Sequence, residues 1–156
     1  MAKLDTLKSS KFFSELTDPE LTAIEPVIEE KTLPPGTTLF LEGMLGESMY
    51  VIESGSIKIS KMIAEGQEQV LVVLGDGDHF GEMAMLDGGA RAASAVSTAE
   101  TKVFTLRRKD FLELGQAQPG VCLKVLWALV KDFSTRIREN SERYSKLLAE
   151  TSPGTT

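Results

Sequence analysis

The tightest constraint on what this chain can fold into is where its glycines stand. Ten of the thirteen lie between positions 36 and 89, and with their neighbours they form the turn signals Pro35-Gly36, Glu42-Gly43, Ser54-Gly55, Glu65-Gly66 and Gly75-Asp76-Gly77-Asp78. Glycine reaches backbone angles closed to other residues, so such clusters mark tight corners. Between the corners lie short apolar or alternating runs: TTLFL, SMYVI, SIKISKMI, QVLVVL, AASAV and TKVFTL. Runs of this length and texture read as strands. No helical stretch interrupts them before Arg107, which argues against parallel strands joined by crossover helices. The expectation is a mainly β chain: a double-stranded β-helix, or jelly roll, of about eight strands, spanning 37–106.

Helical signals flank the roll. Thr17 stands three residues before Glu20 with Pro19 between them, a capping-box pattern. It predicts a helix over 17–30, with Leu21, Ile24, Val27 and Ile28 at helical spacing before Pro34-Pro35-Gly36 forbids its continuation. After Arg107 the period becomes helical again, predicting two helices within 108–149 separated near Pro119. On the second, Leu126, Leu129, Phe133 and Ile137, continued by Tyr144 and Leu148, keep to one broad side, while Lys124, Lys131 and Arg138 read as a solvated stripe. The apolar side resembles a heptad seam until Arg136 and Asn140 intrude. A homodimer through this helix is therefore expected, against the alternative that the seam packs on its own roll. Residues 1–150 are read as one domain and 151–156 as a disordered tail.

Composition removes several functions. A net charge of -6 argues against a nucleic-acid surface. No apolar run approaches the ~20 residues of a membrane helix, and Met1-Ala2-Lys3-Leu4-Asp5 is followed by no apolar leader. A cytoplasmic protein without a membrane partner is expected. The single cysteine, Cys122, excludes an internal disulfide, and the single histidine, His79, does not make the usual nitrogen- or sulfur-rich metal site. Both are read as packing residues, and neither metal nor cofactor is expected.

The stretch GEMAMLDGGARAAS, residues 81–94, sets Glu82 and Arg91 in a bed of Gly and Ala. Small residues leave backbone N–H groups uncovered, and concave runs of such groups hold anions. A salt bridge between Glu82 and Arg91 on a surface loop is the bland alternative. The glycine framework decides against it: Phe80-Gly81-Glu82, Leu86 and Arg91-Ala92-Ala93-Ser94, preceded by Pro35-Gly36, Glu42-Gly43, the run Tyr50 to Ser56 and Gly75-Asp76-Gly77-Asp78, resemble the phosphate-binding cassette and supporting corners of the cyclic nucleotide-binding domain family. That family includes catabolite activator protein, regulatory subunits of cyclic AMP-dependent kinase and nucleotide-gated channels, and the likeness covers about residues 10 to 140.

The resemblance implies a non-catalytic receptor that signals through its C-terminal helix to a partner. It assigns the cyclic phosphate to Arg91, the ribose 2′-hydroxyl to Glu82, and further contacts to Gly81, Met83 and the backbone of Ala84, Ala92 and Ala93. By aligning strands, the base pocket is expected at Ile59, Leu71 and Val72. The Thr-Ser pair that contacts adenine in the activator branch corresponds here to Arg136-Ile137, so Arg136 is expected to cover the purine instead. Family members that favour cyclic GMP often carry Thr directly after the phosphate-binding Arg; Ala92 stands there, which favours cyclic AMP and leaves cyclic GMP as second candidate. The activator's helix-turn-helix would follow the long helix, but the sequence ends at Thr156. The expected effector is a separate protein or the rest of a larger regulator. A roll that has lost its ligand and serves as a scaffold or dimerisation module is the alternative, and a cupin-type enzyme, which needs several histidines, is the least favoured.

Overall fold

In the computed structural model, which describes residues 2–10 and 12–151, helices bracket a continuous run of strands. Helix α1 (Ala2–Ser9), which no sequence signal announced, is followed by α2 (Asp18–Ile24). The capping box forms as the spacing predicted: the Glu20 amide donates to Thr17 Oγ1 at 3.3 Å and the Thr17 amide donates to the Glu20 carboxylate at 2.9 Å. The helix does not reach residue 30. Pro26 has no amide to donate and crowds the preceding turn, so Glu25–Val27 tightens into a 3₁₀ turn and Ile28–Leu33 becomes strand β1. The roll therefore starts nine residues before the expected Thr37. Val27 and Ile28 fit a helical face and no alternation of apolar residues marks 28–33 as a strand, so pairing with the distant β8 settles the choice.

The remaining elements are β2 (Thr38–Phe40), β3 (Ser48–Ser54), β4 (Ile57–Ala64), β5 (Gln67–Leu74), β6 (His79–Phe80), α3 (Glu82–Asp87), β7 (Ser94–Ser97), β8 (Thr101–Arg107), α4 (Arg108–Ala117) and α5 (Pro119–Thr151). They build two four-stranded sheets, in the orders β1-β8-β3-β6 and β2-β7-β4-β5, with every pairing antiparallel. This is the expected jelly roll with short helices before it and a long one after. The expected tail at 152–156 lies outside the described residues.

Two apolar cores follow from the period of two in β3 and β8. Met49 and Val51, with Phe104 and Leu106, face the helices and pack among Phe12, Phe13, Leu21, Phe111, Val125 and Leu129. The alternate residues Tyr50, Ile52 and Val103 face into the roll with Phe40, Ile57, Phe80 and Ala95. Strands buried on both faces read as near-continuous apolar runs, as SMYVI does. Only the first third of α5 joins the core, through Val121, Cys122, Val125 and Leu129. Burial pushes the Cys122 thiol up from its ordinary value and its Sγ contacts the Phe111 carbonyl, which fits an inert packing role. From Ser134 to Thr151 every residue is exposed. The basic stripe is less idle than expected: Lys124 pairs with Glu20 at 2.6 Å and Lys131 with Glu15 at 2.9 Å, tying α5 to the N-terminal segment.

Candidate functional site

Between β6 and β7 the chain must pass from the rim of one sheet to the other, and α3 fills the passage. Its first turn follows Gly81 at φ +80, where a side chain would be strained, and a Cβ there would also lie 2.8 Å from Arg91 Nη1. Arg91 is held from several sides. Its amide donates to the Met44 carbonyl at 2.7 Å and its carbonyl accepts from the Gly43 amide at 2.8 Å. Its Nη1 donates to the carbonyls of Ser48 at 2.8 Å and Gly81 at 3.2 Å, and the guanidinium lies 4.0 Å over the Phe40 ring. Gly46 is packed against it so closely that a Cβ would fall on the guanidinium itself.

The charge of Arg91 is nevertheless unanswered. Among the described residues no carboxylate pairs with it, its side chain is buried, and its Nε makes no hydrogen bond. Burial pushes its pKa down from the ordinary value, opposed by the neighbouring Tyr50. A buried cation facing a cavity without a counter-ion is an anion site in waiting, because desolvated charge is costly until an opposite charge arrives.

Glu82 and Arg91 do not pair with each other. Glu82 is buried, its Oε1 accepts from Arg136 Nη1 at 2.8 Å, and its Oε2 lies 3.6 Å from His79 Nδ1. Burial pushes its carboxyl up, but the neighbouring His79 ring, a backbone amide and the charge of Arg136 outweigh burial and leave it below the ordinary carboxylate value. Arg136 also reaches Asp132, at 3.0 Å. It therefore borders the same cavity as Glu82, as an ion-pair partner of α3 and not as a free plate for a base.

These residues border one cavity of about 390 Å³, within the range of small-molecule sites. Gly81, Glu82, Met83, Ala84, Arg91, Ala92, Ala93 and Arg136 all line it, and so do Ile59 and Val72 of the expected apolar wall. Leu71 does not, which corrects the expectation. In the β4–β5 pairing Ile59 stands opposite Val72 while Ser60 stands opposite Val70, so Leu71 is the extra residue of a bulge. It is 55% exposed. Leu74, Phe40, Phe80, His79 and Ala90 complete the lining and were not anticipated. Leu74 was available from the period of two through Val72; Phe40 and His79 arrive from distant chain and gave no local signal. Gly46 was missed as well, since its role is to make room for a side chain forty-five residues away.

Comparison with known proteins places this geometry. The family described as "Cyclic nucleotide-binding domain" matches residues 30–118, more than half of the chain. The cyclic AMP receptor protein of Thermus thermophilus is 34% identical over 133 residues, covering 85% of this chain and 60% of that protein. A cAMP-dependent protein kinase regulatory subunit of Hypocrea atroviridis is 38% identical over 125 residues, 80% of this chain and 26% of that protein. Among solved structures, the catabolite activator protein of Thermus thermophilus superposes with a TM-score of 0.80 at 33% identity, covering 88% of this chain and 63% of that one. A cyclic nucleotide-binding domain from Methylobacillus flagellatus gives 0.80 at 26% identity, covering 99% of this chain and 85% of that one. The regulatory domain of Toxoplasma gondii PKA, crystallised with cAMP, gives 0.66 at 34% identity, with 72% and 42% covered. The chain thus spans less than two thirds of the length of the Thermus receptor and about a quarter of the kinase subunit.

Proposed function

The chain belongs to the cyclic nucleotide-binding domain family, and from that premise we propose that it is a non-catalytic, cytoplasmic receptor for a cyclic nucleotide, cyclic AMP ahead of cyclic GMP. The observation that carries the reading is Arg91: a buried guanidinium, without a carboxylate partner among the described residues, on the wall of a cavity of about 390 Å³. The cyclic phosphate supplies the missing charge, accepting from Arg91, with backbone amides beside Ala84, Ala92 and Ala93 adding donors. Glu82 accepts from the ribose hydroxyl once Arg136 lets go of its Oε1. The purine lies against Ile59, Val72 and Leu74.

Binding is the activity, and α5 carries the result. Arg136 and Asp132 sit on α5 while Glu82 sits on α3, so ligand and helix compete for one carboxylate. The effector is a protein that reads the position of the exposed half of α5, either separate or in the same polypeptide. That half also supports a homodimer. With Val125 and Leu129 taken by the protein's own core, Leu123, Leu126, Val130, Phe133, Ile137, Tyr144 and Leu147 fall at heptad spacing along α5 with Asn140 at one of the eight positions, while the exposed Trp127, and Leu148 of the expected seam, lie outside that spacing. Leu129, expected in the seam, is not part of it.

Calorimetric titration with cyclic AMP and cyclic GMP tests the reading. We expect saturable binding of one nucleotide per chain, tighter for cyclic AMP. Absence of binding to either at millimolar concentration overturns it in favour of a scaffold; tighter binding of cyclic GMP overturns the nucleotide preference alone.

A further inference from the structure

His79 does more than pack. The ring is buried and packs against Phe12 with centroids 3.8 Å apart and ring planes tilted by 57°. Its two nitrogens face two carboxylates on different helices: Nδ1 is 3.6 Å from Glu82 Oε2 on α3, and Nε2 is 4.0 Å from Asp132 Oδ2 on α5. Three buried polar atoms converge here: His79 Nδ1 and Glu82 Oε2, which make no hydrogen bond among the described residues, and Asp132 Oδ2, which the Arg136 guanidinium approaches at 3.0 Å. Two of them belong to side chains more than nine-tenths buried, at 7% and 4% exposure. Buried polar atoms without partners call for a ligand or a strain to explain them.

We propose that His79, Glu82 and Asp132 form a binding site for one divalent transition-metal ion of the zinc class. One ligand atom from each residue lies within 4.8 Å of the other two. Tetrahedral bonds of about 2.0–2.2 Å place ligand atoms roughly 3.4 Å apart, so the cluster closes on the ion by rotation of the imidazole and of the half-buried Asp132. Charge favours the same occupant. The two carboxylates carry two negative charges and face one cation, Arg136, whose side chain is 48% exposed. A dication with a neutral imidazole makes the buried group electrically neutral and frees the guanidinium to swing into solvent. One nitrogen with two carboxylate oxygens suits zinc and its neighbours; calcium and magnesium prefer oxygen alone. A recess of about 250 Å³ bordered by His79, Asp132, Thr135 and the Glu15–Lys131 ion pair offers an entry path that shares only the His79 ring with the nucleotide cavity. The ion takes Glu82 Oε2 and leaves Oε1, the oxygen Arg136 holds, toward that cavity. It joins α3 to α5, and its binding does not depend on which nucleotide, if any, the protein receives.

The test is a titration of the full chain, free of any affinity tag, with zinc and with cobalt(II) as a spectroscopic probe. We expect one equivalent bound per chain, a cobalt absorption band in the visible range, and loss of both in His79→Phe and Asp132→Asn. His79→Phe keeps the ring against Phe12 and removes only the nitrogens, and circular dichroism checks that each variant is folded. Arg136→Ala should bind zinc more tightly than the parent, because the competing cation is gone. No saturable uptake, uptake unchanged in the two ligand variants, or weaker uptake in Arg136→Ala overturns the site.

Discussion

At the scale of single residues, the decisive contrast lies between Glu82 and Arg91. Both are buried, but one is answered and the other is not. Arg91→Leu should therefore remove nucleotide binding, a loss of about 2–5 kcal/mol, while the melting temperature of the ligand-free protein holds or rises, since an uncompensated buried charge disappears. Titration calorimetry and a thermal melt read the two effects; retained affinity within a few-fold of the parent would remove Arg91 from the site. Gly46 acts through space alone. A methyl group there falls on the guanidinium, so Gly46→Ala should weaken nucleotide binding by about tenfold or more, ~1.4 kcal/mol, with little change in secondary structure. Ala92 lines the cavity but offers no side-chain donor. Ala92→Thr adds one neutral hydrogen bond, worth about 0.5–1.5 kcal/mol, and should raise affinity for cyclic GMP relative to cyclic AMP in paired titrations.

At the scale of elements, α2 is fixed by a local device and α5 by distant ones. The Thr17–Glu20 capping box needs only four residues of sequence, and Thr17→Ala should destabilise the protein by about 0.5–2 kcal/mol in urea unfolding. The tie between α3 and α5 depends on the charge of Glu82. Its carboxyl is held below the ordinary value in the folded protein, so the unfolded chain takes up the proton more readily. The stability this contributes is complete above the unfolded value of about pH 4.3 and is lost as pH falls through the folded one. Arg136 is among the causes. The stability difference between parent and Arg136→Ala should thus be widest near neutral pH and shrink in acid; a difference that stays constant from neutral pH into acid would show that Arg136 acts on something other than this carboxylate.

At the scale of the whole molecule, the roll and its N-terminal helices form a compact body from which the exposed end of α5, 134–151, extends, roughly 27 Å at 1.5 Å per residue. If the exposed apolar seam of α5 pairs as proposed, it buries that side against a second copy. Sedimentation should show a dimer, and Val130→Glu, which puts a charge in the seam outside the nucleotide cavity, should give a monomer that still binds nucleotide. A parent that remains monomeric at high micromolar concentration would exclude the dimer. The proposed relay through α5 has its own readout: hydrogen exchange over 132–148 should change on saturation with nucleotide, and indifference there would rule the relay out.

The sequence by itself determined whatever rests on neighbours along the chain. Glycine corners and short apolar runs specify a roll, because backbone angles and a period of two are local properties. The cap at Thr17 is set within one helical turn. The spacing of Gly81, Glu82 and Arg91 could be read by resemblance because one short segment carries all three. Tertiary structure alone decided what depends on partners far away. Ile28–Leu33 is a strand because β8 pairs with it, although Val27 and Ile28 would serve a helix equally well. That Leu71 is the extra residue of a bulge, opposite no residue of β4, shows only in the pairing. Leu129 goes to the core and Val130 to the surface, a division that no helical period can make until the helix has something to lie against. His79 faces two carboxylates because three separate elements bring them together, and a lone histidine carries no trace of that meeting in its sequence.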